Sequence, residues 1–368
     1  MTARRTALLR LALAAGLAPL PLRARADAPA DVPAKNYVTT SKGSLALSGS
    51  VYLFGYAPAY PGGSNNFDLY AFILNMDMAS PDGKTGLHSQ LRLRDTKLRP
   101  FFTSNVWFQE LYAYRKTPYG RLDVGRFYRK VGLLWDDSFF GDIQYFNGLK
   151  LAPDYGVEWV GTRSLAPKLS VGYSAQFFPN SGTVNGSLDG RDVVSDPLAK
   201  RRNTATARVV PTWTFGEGRS LALGLSALNA VVDRTTTTAA GFKLSQEAAD
   251  LTLTWGPSIS YVEVLNQNGE RDDAAHPLGR RGYDSAVYWL AGTRWQVCRR
   301  MNARFNYSTA NYVGEDAREE EFVPGLVTDL GGGASLITEF DYQRLLAHHG
   351  GPQTLIDRSY NAVLRYDF

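Results

Sequence analysis

SYNAVLRYDF, residues 359–368, alternates apolar and polar side chains up to the carboxyl terminus. The apolar set consists of Tyr360, Ala362, Leu364, Tyr366 and Phe368. A period of two places alternate side chains on opposite faces of a β-strand. The ending therefore predicts a strand with one apolar face, one polar face and an aromatic final residue.

The same alternation recurs along the chain in segments of roughly ten residues separated by turn residues. In the segment 168–178, for example, Leu169 and Val171 share one face, while Ser170 and Gln176 share the other. The segment 321–330 is the weakest candidate, and without it the count is fifteen. An up-and-down barrel of this kind requires an even count, so fourteen strands is the alternative to sixteen. The candidates are 45–56, 66–76, 87–95, 105–115, 121–127, 155–161, 168–178, 204–215, 220–232, 249–256, 258–266, 285–297, 302–313, 321–330, 334–346 and the terminal strand.

The connections between these segments alternate between short and long. Short turns include KTPYG and GGG, and the long connections are 128–154, 179–203, 233–248 and 267–284. In a bilayer each unsatisfied backbone group costs several kcal/mol, so strands can cross it only as a closed barrel. The pattern predicts an all-β fold: a transmembrane antiparallel up-and-down β-barrel of about 16 strands, spanning residues 44–368.

The first 26 residues have the pattern of a cleaved secretory signal peptide. Arg4 and Arg5 precede a Leu/Ala-rich stretch, and Ala24 and Ala26 give small residues at the cleavage spacing. Five of the 40 basic residues lie in this leader, so 35 basic residues balance 35 acidic residues in the remainder. A near-zero charge gives no indication of nucleic-acid binding. Residues 27–43 are expected to form an N-terminal periplasmic segment.

Three stretches resemble the Gram-negative general porins, which are trimeric sixteen-stranded barrels. TPYGRLDVGRF (117–127) is similar to the family's G-x-L-x-x-G-R strand, which leads into an inward-folded third loop. SFFGDIQYFNGLKLAPDYGVEWVG (138–161) is similar to that loop and the next strand. The terminal aromatic residue is similar to the family's assembly signal.

The resemblance implies a homotrimer in the outer membrane, in contact with lipid and lipopolysaccharide. It implies passive diffusion of small hydrophilic solutes and ions, with residues 128–154 folded inward as the constriction loop. Tyr366 and Phe368 would be read by the outer-membrane assembly machinery. A sixteen-stranded barrel leaves an aqueous channel, in agreement with that activity.

Opposed carboxylates and guanidinium groups at a constriction would set the ion selectivity. The candidates for this role are Arg92, Arg94, Glu110, Arg126, Asp136, Asp137 and Asp142. Further residues on inferred lumen faces are His88, Tyr112, Tyr114, Arg208, Arg304 and Arg365. The alternative for each lumen-facing charged residue is a solvated position on the channel wall. One of the loop acids could instead hold the loop to the wall by accepting from backbone N–H groups.

The alternation around Arg126 conflicts with its proposed role. Regular spacing places Arg126 on the lipid face with Leu122 and Val124, and a bulge at Gly125 would be needed to turn it inward. An inward Glu110 would place Trp107 toward lipid.

Other functions remain open at this stage. A substrate-selective channel for sugars, phosphate or organic anions is the alternative, because aromatic residues cluster around residues 127–146. No G-x-S-x-G or H-E-x-x-H motif indicates an enzyme, and no pattern indicates a cofactor or metal. The acidic run 314–321 is expected in an external loop, either solvated or bridged to lipopolysaccharide by divalent cations.

Overall fold

A computed structural model describes residues 36–59, 65–94, 105–134, 143–146, 149–150, 153–180, 199–234, 241–269, 285–313, 317–347 and 353–368. These contain seventeen strands and one short helix, α1 (Ile143–Phe146). The strands are β1 (Asn36–Thr40), β2 (Gly43–Pro58), β3 (Asn66–Ala79), β4 (Thr85–Leu93), β5 (Val106–Thr117), β6 (Gly120–Tyr128), β7 (Pro153–Ala166), β8 (Leu169–Asn180), β9 (Ala199–Gly216), β10 (Arg219–Arg234), β11 (Phe242–Trp255), β12 (Ser258–Asn268), β13 (Ala286–Cys298), β14 (Met301–Tyr312), β15 (Ala317–Gly331), β16 (Ala334–Ala347) and β17 (Gln353–Asp367).

Strands β2–β17 close into a sixteen-stranded barrel. Each pairs antiparallel with its sequence neighbours, and β17 pairs with β2 from Ser359↔Pro58 to Asp367↔Ser50. Each of the sixteen strands therefore has a partner on both sides, which removes the unpaired edges of an open sheet. The architecture is the transmembrane up-and-down barrel predicted from the sequence, and the weak segment 321–330 is confirmed as part of β15.

The two ends of the barrel differ in their connections. Two to five residues join β3 to β4, β5 to β6 and each later pair at one end, which we call the turn end. The other end, the loop end, carries connections of four to 24 residues, the longest of which is 129–152. The predicted alternation of short and long connections is confirmed at 129–152, 181–198 and 269–285, whereas 313–316 and 348–352 are as short as the turns.

β1 lengthens the sheet without taking part in closure. It pairs with residues 43–47 of β2, beyond the part of β2 that pairs with β17. The Phe368 backbone exchanges two 3.0 Å hydrogen bonds with Gly49. The first described strand and the carboxyl terminus therefore lie side by side on β2.

The faces of the barrel reverse the distribution found in water-soluble proteins. Large apolar side chains are exposed on the outer face, including Val124, Phe177, Leu225, Leu251, Val262, Trp289, Phe305, Leu326 and Leu364. Buried polar side chains share the inner face, including Asp123, Glu158, Gln176, Ser226, Asp250, Glu263, Asn306, Glu321 and Glu339. An apolar outer band is the feature that suits a barrel to hydrocarbon.

The predicted connection 233–248 is wrong, because most of it is strand. β10 continues to Arg234 and β11 begins at Phe242. In this part of β11, Leu244 is buried on the inner face, while Lys243 and Glu247 are exposed on the outer face. The apolar side here is the inner one, so the segment lacks the apolar outer face on which the boundary was based.

The acidic run 314–321 does not form only a loop. Residues 317–321 begin β15, with Glu321 buried on the inner face and Glu320 on the outer face. Residues 314–316 lie outside the described part. Within the described residues, no helix has the length and apolar character needed to cross a bilayer.

Candidate functional site

Backbone N–H groups in the described parts of connection 129–152 donate hydrogen bonds to inward side chains of four strands. The Lys130 N–H donates to Gln176 Oε1 on β8 at 2.8 Å. The Gly132 N–H donates to Ser226 Oγ on β10 at 3.0 Å. We call the inward side chains that accept from backbone N–H groups of this connection, Gln176, Ser226, Glu263 on β12 and Ser308 on β14, the docking wall.

Glu263 contacts this connection from both of its described sides. Its Oε2 accepts from the Leu133 N–H, and its Oε1 lies 3.3 Å from Lys150 Nζ. The Glu263 side chain is fully buried, and Lys150 is nearly so. Charge-assisted hydrogen bonds of this kind are stronger than neutral ones. One carboxylate thus holds residues 133 and 150, seventeen positions apart.

Gly132 permits the close approach to Glu263. Its φ is +64°, and a Cβ at this position would lie 2.2 Å from Glu263 Oε2. A side chain would therefore clash with the carboxylate and strain the backbone.

α1 and its flanks add an apolar contact to these polar ones. The Ile143 N–H donates to Ser308 Oγ at 3.2 Å. Val131, Ile143 and Leu149 pack into one buried cluster with inward residues of β10–β15, namely Leu228, Ala230, Val232, Leu244, Ala248, Leu265, Ala286, Tyr288, Ala310, Tyr312 and Ala317. Toward the loop end, the inner surface of these strands is thus apolar and covered by the connection.

Arg208 lies on β9 beside the docking wall. It donates two hydrogen bonds to Asp250, at 2.6 and 2.9 Å, and one to Ser226 Oγ at 2.7 Å. Both members of the pair are on the inner face, as predicted for Arg208. The paired fork geometry shows a structural ion pair rather than a solvated charge.

A second group of polar side chains lies on the inward faces of β3–β6, which we call the β3–β6 wall. His88 Nδ1 lies 2.6 Å from Asp77 Oδ1, and His88 Nε2 lies 3.9 Å from Glu110 Oε2. The rings of His88 and Tyr112 are 5.0 Å apart, and Arg121 lies 5.3 Å from the Tyr114 ring. The structure places His88, Glu110, Tyr112 and Tyr114 together on the inner face.

Arg92 and Arg94 extend this wall toward the loop end. Arg92 donates to Gln90 Oε1 at 2.8 Å and to the Tyr128 hydroxyl at 3.1 Å. The guanidinium of Arg94 lies 4.1 Å from the Tyr70 ring centre and is almost fully buried. Arg92 is therefore inward, beside the start of connection 129–152.

Arg126 is on the outer face, so its assignment to the constriction is wrong. β6 pairs with β5 and β7 without a register shift, so Gly125 forms no bulge. Arg126 lies opposite Tyr155, whose ring centre is 5.5 Å away and which is exposed with Val124 on the outer face. Because the alternation of side chains along β6 is uninterrupted, Arg126 lies on the same outer face as Val124.

A bulge does occur one strand earlier. The register between β4 and β5 shifts after the pair Gln90↔Glu110, so that Arg92 lies opposite Trp107. Trp107 therefore shares the inner face with Arg92, and the expectation that it points to lipid is wrong. The extra residue is Gln109, which accepts a 3.0 Å hydrogen bond from Trp107.

The remaining predicted residues are spread along the wall. Arg304 lies 3.9 Å from Glu339, and Arg365 donates to Asp367 at 2.7 Å, both on the inner face. Tyr366 is exposed on the outer face, and the Phe368 ring stacks on Phe72 at 6.0 Å.

Asp136, Asp137 and Asp142 lie outside the described residues. The docking wall was missed from the sequence, because Gln176, Ser226 and Ser308 look like ordinary lumen-facing residues. A signal was present in β10, where 227–232 (ALNAVV) loses the apolar–polar alternation. Among the described residues, no group of three or more His, Cys, Asp or Glu is placed to hold a metal ion.

Comparison with known proteins shows the same fold. No family model and no curated protein sequence matches the chain. The outer membrane channel DcaP of Acinetobacter baumannii superposes with a TM-score of 0.63 at 10% identity, over 89% of this chain and 98% of that one. OmpF of Salmonella typhi, in complex with daunomycin, gives 0.62 at 11% identity, over 90% and 100%. An anion-selective porin from Comamonas acidovorans gives 0.58 at 11% identity, over 89% and 100%. The chain therefore has the barrel fold of outer-membrane channels.

Proposed function

We propose that the chain forms a water-filled channel for passive diffusion of small hydrophilic solutes and ions across the outer membrane of a Gram-negative bacterium. The observation that carries the proposal is the attachment of connection 129–152 to the docking wall. A barrel of sixteen strands is too wide for wall side chains to fill, so it leaves a lumen. A chain segment held inside that lumen narrows it.

The chemistry of the wall supports solute passage in water. The inner face carries paired acids and bases, such as Arg208–Asp250 and Lys130–Glu158 at 2.7 Å. Such pairs are satisfied locally and leave a polar surface without a large excess of one sign. We infer a modest ion preference, set by Arg92, Arg94 and Glu110 on the β3–β6 wall together with Asp136, Asp137 and Asp142 of the connection.

The direct test is single-channel recording in planar bilayers with a KCl gradient. Folded protein is expected to give stepwise conductance with a small reversal potential, and protein denatured before reconstitution is the control. Folded protein that inserts without conducting would overturn the proposal. Saturation of the current by an added sugar, phosphate or organic anion would instead support the substrate-selective alternative.

The loop acids have their own test. Asp136→Asn combined with Asp137→Asn should shift the reversal potential toward anions if these carboxylates line the constriction, because two negative charges leave it. Glu217→Gln combined with Asp329→Asn, two exposed turn-end positions, is the matched control. An unchanged reversal potential would count against the placement of the acids in the pore.

The cellular setting is part of the same proposal. We infer that residues 1–26 are removed as a signal peptide, and that residues 27–43, which include β1, lie on the periplasmic side. The outer apolar band supports contact with membrane lipid and lipopolysaccharide, and the fold supports a homotrimer. Tyr366 and Phe368 supply the signal for the outer-membrane assembly machinery. Amino-terminal sequencing of protein from outer-membrane fractions tests the cleavage, and conductance steps in groups of three test the trimer.

A further inference from the structure

One inward imidazole of the β3–β6 wall lies between two carboxylates near the turn end. His88, on β4, lies opposite Asp77 of β3 and opposite Tyr112 of β5. Its Nδ1 atom is 2.6 Å from Asp77 Oδ1, and its ring centre is 5.0 Å from that of Tyr112. The carboxylate and the aromatic ring on either side therefore hold the imidazole in one position on the inner surface.

The two ring nitrogens of His88 face different carboxylates. An ionised carboxylate oxygen only accepts hydrogen bonds, so Nδ1 carries the hydrogen in the contact with Asp77. Nε2 is then the basic nitrogen of the neutral ring, and it lies 3.9 Å from Glu110 Oε2. A proton taken up from water binds at Nε2 and gives an imidazolium with one carboxylate facing each nitrogen.

The charged and titratable groups that face His88 come from β3, β5 and β6. Two of them, Arg121 and Asp123, form an ion pair at 2.7 Å and cancel each other. Lys130 of connection 129–152 also acts on this wall, but it is paired with Glu158 at 2.7 Å. Tyrosine hydroxyls are neutral at physiological pH. The two remaining carboxylates leave two negative charges around a neutral ring, and protonation of the ring offsets one of them. In the described part of the chain, the groups facing the ring are Asp77, Glu110, Tyr112, Tyr114, Arg121 and Asp123.

The site is open to water at the turn end of the lumen. The Asp77 side chain is 54% exposed, and that of His88 is 18% exposed. His88 is the fourth residue of β4 and Asp77 is third from the end of β3, so both lie close to the β3–β4 turn. Protons and ions in the lumen therefore reach this group, whereas Asp250, which pairs with Arg208, is only 2% exposed.

We propose that His88 is a specificity-determining residue of the channel, and that its protonation from the periplasmic side lowers the preference for cations. Fixed charges lining a water-filled passage set the local concentration of ions of each sign. A neutral ring leaves both carboxylates to attract cations, and the imidazolium offsets one of them. Histidine is the side chain whose ordinary titration range, about pH 5 to 8, gives this change near neutrality. The inference rests on the proposed pore and on its turn end facing the periplasm.

The test measures the reversal potential of the full chain in planar bilayers under a dilute KCl gradient, because low ionic strength preserves the effect of single charges. The ratio of K⁺ to Cl⁻ permeability is compared at about pH 8 and about pH 5.5, both above the ordinary pKa values of carboxyl groups. For the unaltered chain the ratio should fall about twofold at the acidic pH, because one of two net negative charges is offset. The fall should shrink at high salt.

Two substitutions of His88 bracket the expected behaviour. His88→Gln takes up no proton, so its permeability ratio should stay at the alkaline value of the unaltered chain at both pH values. His88→Lys carries a fixed positive charge, so its ratio should stay at the acidic value. The matched control is Gln296→Lys, which lies opposite Asn302 on the inner face of β13 near the turn end. This control should lower the ratio at both pH values and keep the fall between them.

The unaltered chain alone already decides the question, so a variant that folds poorly does not obscure it. A conducting chain with equal permeability ratios at both pH values would show that the proposal is wrong. A fall that persists in His88→Gln would assign the titration to another group and overturn it as well. Glu110→Gln should keep the fall, and its loss there would place the proton on Glu110 instead. A chain that inserts without conducting at either pH is a failure of the pore proposal, so the two failures remain distinguishable.

Discussion

The docking wall and the β3–β6 wall share the inner face of one barrel, but they differ in burial and partners. On the docking wall, Glu263 is fully buried and contacts Leu133 and Lys150 of connection 129–152. On the β3–β6 wall, Asp77 is 54% exposed, and His88, which lies 2.6 Å from it, belongs to the same wall. A second segment of chain covers the first wall, whereas Asp77 on the second wall is in contact with solvent.

This difference separates residues that stabilise the fold from residues that act on ions passing through the lumen. A buried carboxylate must be paired, because the loss of hydration is otherwise uncompensated. Glu263 therefore binds connection 129–152, and Asp250 pairs with Arg208 within the barrel wall. A half-exposed carboxylate keeps its water and acts on passing ions through its charge. Substitutions on the docking wall should thus alter stability and pore width, and those on the β3–β6 wall should alter selectivity.

The largest effect is expected for Glu263→Ala. The change removes the acceptor of the Leu133 N–H and the partner of Lys150, and breaking a buried pair from one side costs about 3–5 kcal/mol. The unfolding midpoint in detergent should fall, and single-channel conductance should rise with added current noise as the connection detaches. Glu263→Gln, which keeps an acceptor for Leu133, is the milder control. Unaltered conductance in the alanine variant would show that Glu263 does not position the connection.

Arg208→Met should come next, because it leaves Asp250 without its bidentate partner inside the barrel. A loss of about 3 kcal/mol is expected from one-sided removal of the pair. The double variant Arg208→Met, Asp250→Leu should recover most of this loss. Unfolding midpoints of the three proteins check the result, and a double variant less stable than the single one would contradict it.

Gly132→Ala is expected to have a smaller but specific effect. Gly132 and Gly83 share a φ of +64°, but only Gly132 would place a Cβ against Glu263, whereas nothing lies within 4 Å at Gly83. Gly83→Ala should therefore lose only the backbone term, about 1 kcal/mol. Gly132→Ala should lose more stability and also change the conductance. Equal losses of stability in both variants would mean that the connection can shift away from Glu263 at Gly132 at little cost.

The smallest effect on stability is expected for Glu110→Gln on the β3–β6 wall. Glu110 lies 3.9 Å from His88, and His88 keeps Asp77 2.6 Å away as a partner after the change. Cation preference should fall, seen as a shift of the reversal potential toward anions, while the unfolding midpoint changes little. A large drop in the unfolding midpoint without a shift of the reversal potential would show that Glu110 stabilises the fold instead of setting selectivity.

The strands could be predicted far better than the contacts between them. Alternation in segments such as 168–178 identified β8, because lipid on one side and polar groups on the other impose a period of two. Alternation did not identify residues 242–248 of β11, because the apolar side of the strand is the inner one there. It also missed the bulge at Gln109, which moves Trp107 inward, since one extra residue leaves no mark in composition.

The candidate site was predicted as a set of residue types and not as an arrangement. His88, Arg92, Glu110 and Arg208 were placed on the inner face, and the structure brings them there. Arg126 was assigned to the pore by resemblance, although its own alternation indicated the outer face that it occupies. Glu263 carries no local signal, because its partners Leu133 and Lys150 are more than one hundred residues away in the chain.

By itself, the sequence predicted a closed barrel of about sixteen alternating strands, the last of which, β17, the structure ends at Asp367. These follow from local periodicity and from the need to satisfy every backbone hydrogen bond in hydrocarbon. Only the tertiary structure decided which inner wall holds the connection and that the bulge at Gln109 turns Trp107 inward. Those contacts depend on strand register and on segments distant in sequence, which no local pattern encodes.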